Sequence, residues 1–210
     1  MTATRDRTEV QVSQGSLFGL GRPAIGPLRH LRRIDLSEGA WIDHLQGWLV
    51  GHEVLFEELL AGVSWEAHSR PMYDRVVEVP RLLGRVPARG DATDVIADAA
   101  RDLSRHYGVC FNRVSLALYR NGRDSVAWHG DRVARGLTTA HVATLSIGEP
   151  RVFALRPRTA GRSLRLRLGH GDLVVMGGTC QQTWEHCVPK VSRAGPRIVV
   201  MFRTSATSDR

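Results

Sequence analysis

The sequence predicts an α+β, mainly β domain of the sandwich or jelly-roll class, in which helices precede the strands. Seven short segments of strand character follow residue 108, and turns rather than helical patterns separate them. Two segments before residue 108 repeat their apolar side chains with the period of an amphipathic helix. The 210 residues, of which 42% are hydrophobic, suffice for one domain with a buried core.

The first 33 residues combine Gly, Pro and Arg without a clear period. We therefore expect a loosely ordered basic N-terminal arm over residues 1–33 and a single domain over residues 34–210. Three arginines cluster in this arm, Arg29, Arg32 and Arg33, and we expect them either at a phosphate or in solvent.

Two helices are predicted before the strands. His52–Ala61 and Asp91–Tyr107 both carry apolar side chains at helical spacing. Asp91 or Thr93 is the expected N-terminal cap of the second helix, and Gly108 stands where a left-handed C-terminal cap is needed.

The segment between the helices, from residue 62 to about residue 90, is predicted as a loop. Pro71, Pro80 and Pro87 interrupt regular structure there. A connection of this length is unusual inside a compact domain and is typical of a functional segment.

The strands are expected to form a β core over about residues 109–204. Ser163–Leu168 alternates strictly between polar and apolar residues, which is the pattern of a strand with one buried and one solvated face. Turns such as Asn121-Gly122 separate the segments. The predicted strands are Phe111–Tyr119, His141–Ile147, Arg151–Leu155, Ser163–Leu168, Asp172–Met176, Thr183–Val188 and Arg197–Arg203.

The composition favours one class of partner and disfavours others. The net charge is +8, and nearly all the positive charge is arginine, because Lys190 is the only lysine. Guanidinium groups match phosphate oxygens, so the charge favours nucleic acid; the alternative is a solvated basic surface. No apolar run is long enough to span a membrane, and the first residues lack the apolar core of a secretion signal. With only three cysteines, we expect free thiols and a cytoplasmic location. We also expect a monomer.

The segment Trp128-His129-Gly130-Asp131 carries the first candidate site. In extended backbone, residues two apart point to the same side, so His129 and Asp131 can bind one metal ion. His186, near the end of another predicted strand, is the candidate third ligand. Two histidines and one carboxylate form the facial triad of non-haem Fe(II) oxygenases, which leaves positions open for a 2-oxo acid and dioxygen. A His-x-Asp pair is also common by chance, as a surface histidine beside a turn aspartate.

The last predicted strand has an arginine at each end, Arg197 and Arg203. A guanidinium that faces the interior needs an anion, and the dicarboxylate 2-oxoglutarate supplies one. The alternative is an ordinary edge strand with solvated arginines.

Several motifs follow one another in a specific order. They are Phe111-Asn112 through Tyr119 to His129-Gly-Asp131, Leu145-Ser-Ile-Gly148, Arg151-Val-Phe153, Leu168-Gly-His-Gly171-Asp172, Gln182 through His186 to Pro189-Lys190, and Pro196-Arg197 through Phe202-Arg203. In this order and spacing they resemble the AlkB nucleic-acid demethylases, and the likeness extends from about Trp65 to Arg203.

The resemblance implies a double-stranded β-helix core with Fe(II) bound by His129, Asp131 and His186. It also implies that Tyr119, Arg197 and Arg203 hold 2-oxoglutarate. Members of the family oxidise an N-methyl group on a flipped base of DNA or RNA, and the product then releases formaldehyde. The co-substrates are 2-oxoglutarate and O2, and we expect a single-stranded substrate.

The sequence departs from the family pattern at several positions. Ala117 and Val199 stand where the family has asparagines, and Val133 stands where an acidic residue reads the base. Leu83-Gly84-Arg85-Val86 replaces an aromatic pair that stacks on the base. Tyr73 is our candidate substitute, with simple loop packing as the alternative, and Arg81 is a second candidate substrate residue.

Three hypotheses follow from the residues and the resemblance. The first is a demethylase of alkylated DNA or RNA. The second keeps the oxygenase chemistry but acts on a modified tRNA, a protein or a small molecule. The third is a nucleic-acid-binding module with a vestigial metal site, which Ala117 and Val199 favour and the intact His129, Asp131 and His186 oppose.

Overall fold

The computed structural model describes residues 21–72, 75–131 and 140–204. Within these residues, two antiparallel sheets pack face to face, and two helices cover the outer side of the larger sheet. This confirms the predicted mainly β jelly-roll class with helices before the core strands. No helix in the described parts of the chain is long and apolar enough to cross a membrane.

Besides two short 3-10 turns, the described residues contain two long α-helices and one single α-helical turn. These are α1 (His52–Gly62), α2 (Asp91–Tyr107) and α3 (Cys180–Thr183). The strands are β1 (Ala24–Ile25), β2 (Arg32–Asp35), β3 (Ala40–Leu45), β4 (Leu49–Val50), β5 (Glu66–Met72), β6 (Arg75–Gly84), β7 (Arg113–Tyr119), β8 (Val126–His129), β9 (Val142–Gly148), β10 (Arg151–Pro157), β11 (Leu164–Leu168), β12 (Asp172–Gly178), β13 (Trp184–Val188) and β14 (Arg197–Arg203).

The strand order places β14 and β13 in the interiors of the two sheets. The large sheet has the order β2-β3-β12-β9-β14-β7-β6-β5, and the small sheet has the order β11-β10-β13-β8. Strand β14 therefore lies between β9 and β7, which excludes the alternative of an edge strand with solvated arginines. Strand β8, by contrast, is an edge of the small sheet.

Two apolar cores lie on opposite faces of the large sheet. One core packs α1 and α2 against it, through residues such as Leu55, Leu103 and Phe202. The other fills the space between the sheets, with Leu155 and Trp184 from the small sheet meeting Val174 of the large one. The candidate functional residues line a cleft at the side of this second core.

Helix α2 agrees with its predicted bounds, and Gly108 adopts the predicted left-handed conformation, with φ of 65°. The predicted N-terminal caps, Asp91 and Thr93, are wrong. The N-terminal cap position is Gly90, and no side chain caps the helix there. Thr93 instead donates its hydroxyl to the carbonyl oxygen of Pro87, 2.8 Å away, so it ties the helix to the preceding loop.

The predicted loop between the two helices is largely a β-hairpin, so that prediction is wrong. Strands β5 and β6 pair antiparallel across most of residues 66–84. The prolines misled the prediction for a local reason. Pro71 lies on β5, the edge of the large sheet, and Pro80 falls where the β5–β6 register is irregular, so neither removes a central ladder bond.

The expected N-terminal arm is described only from residue 21 onward, and that part packs on the domain. Strand β2 crosses the expected boundary at residue 33, and the sheets also take in β3, β5 and β6 from before residue 109. Arg33 forms an ion pair with a residue of the domain itself. Its guanidinium donates twice to the buried Asp43 carboxylate, at 2.8 Å each, and its Cζ lies 3.9 Å from the Trp41 ring centroid.

Candidate active site

A cleft opens between the two sheets and collects nearly all the candidate residues that the structure describes. Its polar lining comes from β6, β7, β9, β13 and β14 and from β8 with the segment that follows it. Its apolar lining comes from the core between the sheets. The lining residues are Arg81, Tyr119, Val126, His129, Asp131, Thr144, Phe153, His186, Val188, Arg197, Val199, Met201 and Arg203. Residues far apart in sequence thus share one concave site.

The two candidate histidines face each other across neighbouring strands. His129 on β8 and His186 on β13 are direct partners in the antiparallel register. Directly opposite residues project from the same face of a sheet, and the two imidazole centroids are 4.3 Å apart. The Nδ1 atom of His129 lies 2.8 Å from the carbonyl oxygen of Ala127. This contact favours the tautomer in which Nδ1–H donates to Ala127 and Nε2 carries a free lone pair.

Asp131 joins this pair from the segment that follows β8. One of its carboxylate oxygens, Oδ2, is 4.0 Å from Nε2 of His186. The other, Oδ1, accepts hydrogen bonds from Arg203 Nη2 and Nε at 2.9 and 3.2 Å. Arg203 also donates through Nη1 to the Ser115 hydroxyl, 3.0 Å away. The guanidinium of Arg203 is thus committed to Asp131 and Ser115.

The protonation states of the three groups suit a divalent cation. Burial would raise the pKa of Asp131, but the Arg203 guanidinium and the two imidazoles outweigh it and hold that pKa below its usual value. Burial lowers the pKa of His129, and burial with the neighbouring His129 lowers the pKa of His186 to about 3. Neutral imidazoles and an ionised carboxylate are the forms that bind metal.

The three groups are neighbours without forming a finished metal cage. Across the described parts of the chain, no three His, Cys, Asp or Glu side chains converge closely enough to hold an ion as they stand. Arg203 binds Oδ1 of Asp131, and the other carboxylate oxygen, Oδ2, stays on the side of His186, 4.0 Å from its Nε2. The donor set of two imidazoles and one carboxylate nevertheless fits Fe(II).

Arg197 is the most unusual charged residue of the cleft. Its side chain is 1% exposed, and its Nη2 donates to the Ser146 hydroxyl at 2.8 Å. Its Nε and Nη1 have no hydrogen-bond partner within the described residues. Burial lowers the pKa of Arg197 to about 10, so the group remains cationic at neutral pH. A buried guanidinium with unpaired donors is costly unless an anion binds it.

Tyr119 lies beside Arg197 on the neighbouring strand. The two residues are direct partners in the β7–β14 register, and the Arg197 Cζ is 5.4 Å from the Tyr119 ring centroid. The Tyr119 hydroxyl accepts a hydrogen bond from Arg81 Nη1 at 3.0 Å. The Nε of Arg81 is buried and has no partner among the described residues. Arg81 therefore adds a further cation to the same end of the cleft.

Gln181, which the sequence analysis missed, holds the backbone of the candidate metal-binding segment. Its side-chain oxygen accepts a hydrogen bond from the N–H of Asp131 at 2.8 Å, and the residue is only 5% exposed. Its carbonyl oxygen would lie 2.6 Å from a Cβ at Gly130, so that position requires glycine. A signal was present in the sequence, because Gln181 lies five residues before His186 in the same motif-bearing stretch.

The two positions that depart from the family pattern turn out to be one structural feature. Ala117 and Val199 are direct partners across β7 and β14, and both are buried. Two apolar residues therefore replace two polar ones at a single cross-strand contact, and no unpaired amide is left behind. Tyr73 and Val133, the candidate base-contacting positions, lie outside the described residues.

The comparisons with known proteins identify the family of this chain. The family model described as the 2OG-Fe(II) oxygenase superfamily matches residues 52–207. The alpha-ketoglutarate-dependent dioxygenase alkB homolog 3 of Mus musculus is 34% identical over 81% of this chain and 63% of its own length. The Bos taurus homologue is 30% identical over 71% of this chain and 60% of its own length.

A third relative matches a larger share of this chain. The DNA oxidative demethylase ALKBH2 of Arabidopsis thaliana is 25% identical over 92% of this chain and 75% of its own length. The chain spans less than two thirds of the length of the alkB homolog 3 relatives. Proteins of the matched superfamily use Fe(II), 2-oxoglutarate and O2. The chain therefore belongs to the 2OG-Fe(II) oxygenase superfamily and, within it, to the AlkB-type 2-oxoglutarate-dependent dioxygenases.

Proposed function

We propose that this protein oxidatively demethylates N-alkylated bases of DNA or RNA, with release of formaldehyde and succinate. The observation that carries the proposal is Arg197, a buried cation with two unpaired donors in the cleft that holds His129, His186 and Asp131. A carboxylate co-substrate would satisfy those donors, and a divalent metal would satisfy the three neighbouring groups.

His129, Asp131 and His186 are the residues that would hold the metal. The hydrogen bond of His129 Nδ1 to Ala127 leaves Nε2 as the donor atom, and Gln181 fixes the backbone at Asp131. When bound, Fe(II) would supply the centre at which O2 and the 2-oxo acid react. Arg203 orients the Asp131 carboxylate and keeps it ionised. Its direct contact with 2-oxoglutarate, which the resemblance implies, stays a prediction.

Arg197 and Tyr119 would bind the far carboxylate of 2-oxoglutarate. The unpaired Nε and Nη1 of Arg197 can each donate to a carboxylate oxygen, and the Tyr119 hydroxyl can donate because Arg81 already supplies its accepted bond. The apolar pair Ala117 and Val199 would line the methylene part of the co-substrate. Burial excludes water from this end and strengthens each of these charged contacts.

The proposed substrate is an alkylated base in a single strand or one flipped out of a duplex. A base stacked in a duplex hides the edge on which the N-methyl group lies, so it must leave the stack to reach the cleft. The relatives named for DNA oxidative demethylation and the net charge of +8 support nucleic acid as the partner. Arg81, at the cleft, and Tyr73 are our candidate residues for the base.

The test measures two products from the same reactions. The protein is supplied with Fe(II), 2-oxoglutarate, O2 and a panel of single-stranded oligonucleotides that carry different N-methylated bases. We expect succinate and formaldehyde in equal amounts with at least one member of the panel. Asp131→Ala should abolish both products, whereas Asp98→Ala, on the exposed face of α2, should leave both at the parental level.

Other outcomes would change the proposal in defined ways. Succinate without formaldehyde from any methylated oligonucleotide would refute nucleic-acid demethylation and favour the same chemistry on another substrate. Binding of oligonucleotides without succinate, even at saturating Fe(II), would favour the binding module with a vestigial metal site. Full activity in Asp131→Ala would refute the proposed metal ligands.

A further inference from the structure

The outer face of the small sheet carries a row of arginines that the cleft does not use. We call Arg156, Arg158, Arg165 and Arg167 the arginine face. Arg165 and Arg167 alternate with the inward-facing leucines of β11 and are exposed. Arg165 is the direct partner of Ala154 and Arg167 of Val152, which places both on the same side as Arg156 of β10.

Contacts between the side chains support this placement. Arg165 and Cys187 are both direct partners of Ala154, and Glu185 is the direct partner of Arg156, so these residues share one side of the sheet. The Cζ of Arg156 lies 4.4 Å from the centroid of the Trp128 ring. All four strands of the small sheet therefore contribute to one continuous surface.

The arginine face is not neutralised by its own residues. Its nearest carboxylate, Glu185, accepts hydrogen bonds from Arg156 at 2.9 and 3.2 Å and from Arg158 at 2.9 Å. Arg165 and Arg167 have no carboxylate within salt-bridge distance among residues the structure describes. Glu185 thus pairs with two of the four guanidinium groups, and the other two are free to bind an external anion.

The face lies directly behind the candidate metal ligands. His129 points into the cleft, and its neighbour Trp128 lies on the outer face under Arg156. His186 points into the cleft, and its neighbour Glu185 faces outward to Arg156 and Arg158. Because β8 is one edge of the small sheet, a chain that leaves the cleft can pass around this edge and reach Arg156 on β10 first. It then reaches Arg165 and Arg167 on β11, the opposite edge, about 14 Å from β8 at the usual strand spacing.

We propose that the arginine face binds the phosphate backbone of the nucleic-acid strand whose base occupies the cleft. This inference rests on the proposed function, because it takes nucleic acid as the substrate. Glu185 pre-orients Arg156 and Arg158, and the unpaired Arg165 and Arg167 contribute the strongest attraction for phosphates. Such contacts do not depend on base sequence, so the face binds the strand and does not select the base.

The experiment compares two double variants that remove the same charge. Arg165→Gln with Arg167→Gln removes two guanidinium groups from the arginine face. Arg101→Gln with Arg105→Gln removes two exposed arginines from α2, beyond the large sheet, where they pair with Asp98 and Asp102. Affinity for a methylated single strand of about 15 nucleotides is measured at several salt concentrations. Both variants are also assayed with the isolated methylated nucleotide, which is too short to reach the face.

We expect the face variant to lose at least about fivefold in affinity for the long strand at low salt, with a logarithmic salt slope smaller by about 1.4, because each lost phosphate contact removes about 0.7. Its turnover of the isolated nucleotide should stay at the parental level. The α2 variant should match the parent in every assay.

Equal losses in the two double variants would overturn the proposal, because they would show an effect of net charge and not of this surface. Parental binding and salt slope in the face variant would also overturn it, while the demethylase activity of the parent would stand. Failure of the proposed function itself is recognised separately, as the absence of formaldehyde from any methylated substrate with the parent protein.

Discussion

The two ends of strand β14 carry the same residue type in opposite situations. Arg203 has its donors satisfied by the Asp131 carboxylate and the Ser115 hydroxyl. Arg197 is bound only by the Ser146 hydroxyl and keeps two buried nitrogens unpaired within the described residues. The difference indicates that one arginine serves to orient a protein carboxylate, whereas the other is left to bind an anion from outside.

The first prediction tests the anion-binding end. Arg197→Ala should raise the 2-oxoglutarate concentration needed for half-maximal turnover by at least about tenfold, because truncating one partner of a buried charge pair costs about 2–5 kcal/mol. Metal affinity, measured anaerobically by titration with Fe(II), should stay at the parental value. An unchanged 2-oxoglutarate requirement would show that another cation of the cleft, such as Arg81, binds the carboxylate.

The second prediction tests the end of β14 that carries Arg203. Arg203→Ala should weaken Fe(II) binding by about tenfold, because outer contacts that orient a metal ligand typically contribute about 10–100-fold to affinity. At saturating Fe(II), the 2-oxoglutarate requirement should remain near the parental value. If that requirement rises as it does in Arg197→Ala, the two ends act alike and Arg203 contacts the co-substrate, as the resemblance implies.

The contrast between the two arginines also shows where sequence reasoning stops. Both were assigned to 2-oxoglutarate from their places at the ends of one apolar strand. Strand β14 itself was predicted with its correct bounds, because a continuous apolar run between two charges is a local property. The partner of each arginine depends on pairing with β7 and β9 and on the approach of Asp131, which are contacts between distant segments. No local pattern encodes them.

The candidate metal ligands show the same division between local patterns and contacts of distant segments. The spacing of His129 and Asp131 predicted that they act together, and the distant His186 was chosen by motif. Their juxtaposition follows from the β8–β13 register, which sets His129 directly opposite His186. The sequence does not reveal the β5–β6 hairpin, because prolines usually interrupt strands. An edge strand and an irregular register tolerate proline, and these are the places of Pro71 and Pro80. Gln181 was missed because its role is a contact with a backbone N–H.

The third prediction concerns the support that Gln181 gives to the backbone of Asp131, the carboxylate that Arg203 orients. Gln181→Leu keeps the approximate volume but leaves the buried N–H of Asp131 without its acceptor. An unsatisfied buried donor costs about 1 kcal/mol or more, so Fe(II) affinity should fall by at least about fivefold. Gln182→Leu is the comparison at the neighbouring position. Parental Fe(II) affinity in Gln181→Leu would show that the Arg203 contacts alone fix the carboxylate.

The smallest expected effect belongs to Arg81, which reaches the anion-binding end only through Tyr119. Arg81→Gln removes the hydrogen bond to the Tyr119 hydroxyl, and one such bond contributes about 1 kcal/mol. The 2-oxoglutarate requirement should therefore rise only a few-fold, and Tyr119→Phe should show a similar rise because it removes the same hydroxyl. Combining the two changes should add little, since both act on one contact. An additive effect would show that Arg81 binds the co-substrate independently, through its unpaired Nε. A loss of demethylation with an unchanged 2-oxoglutarate requirement would instead place Arg81 against the base.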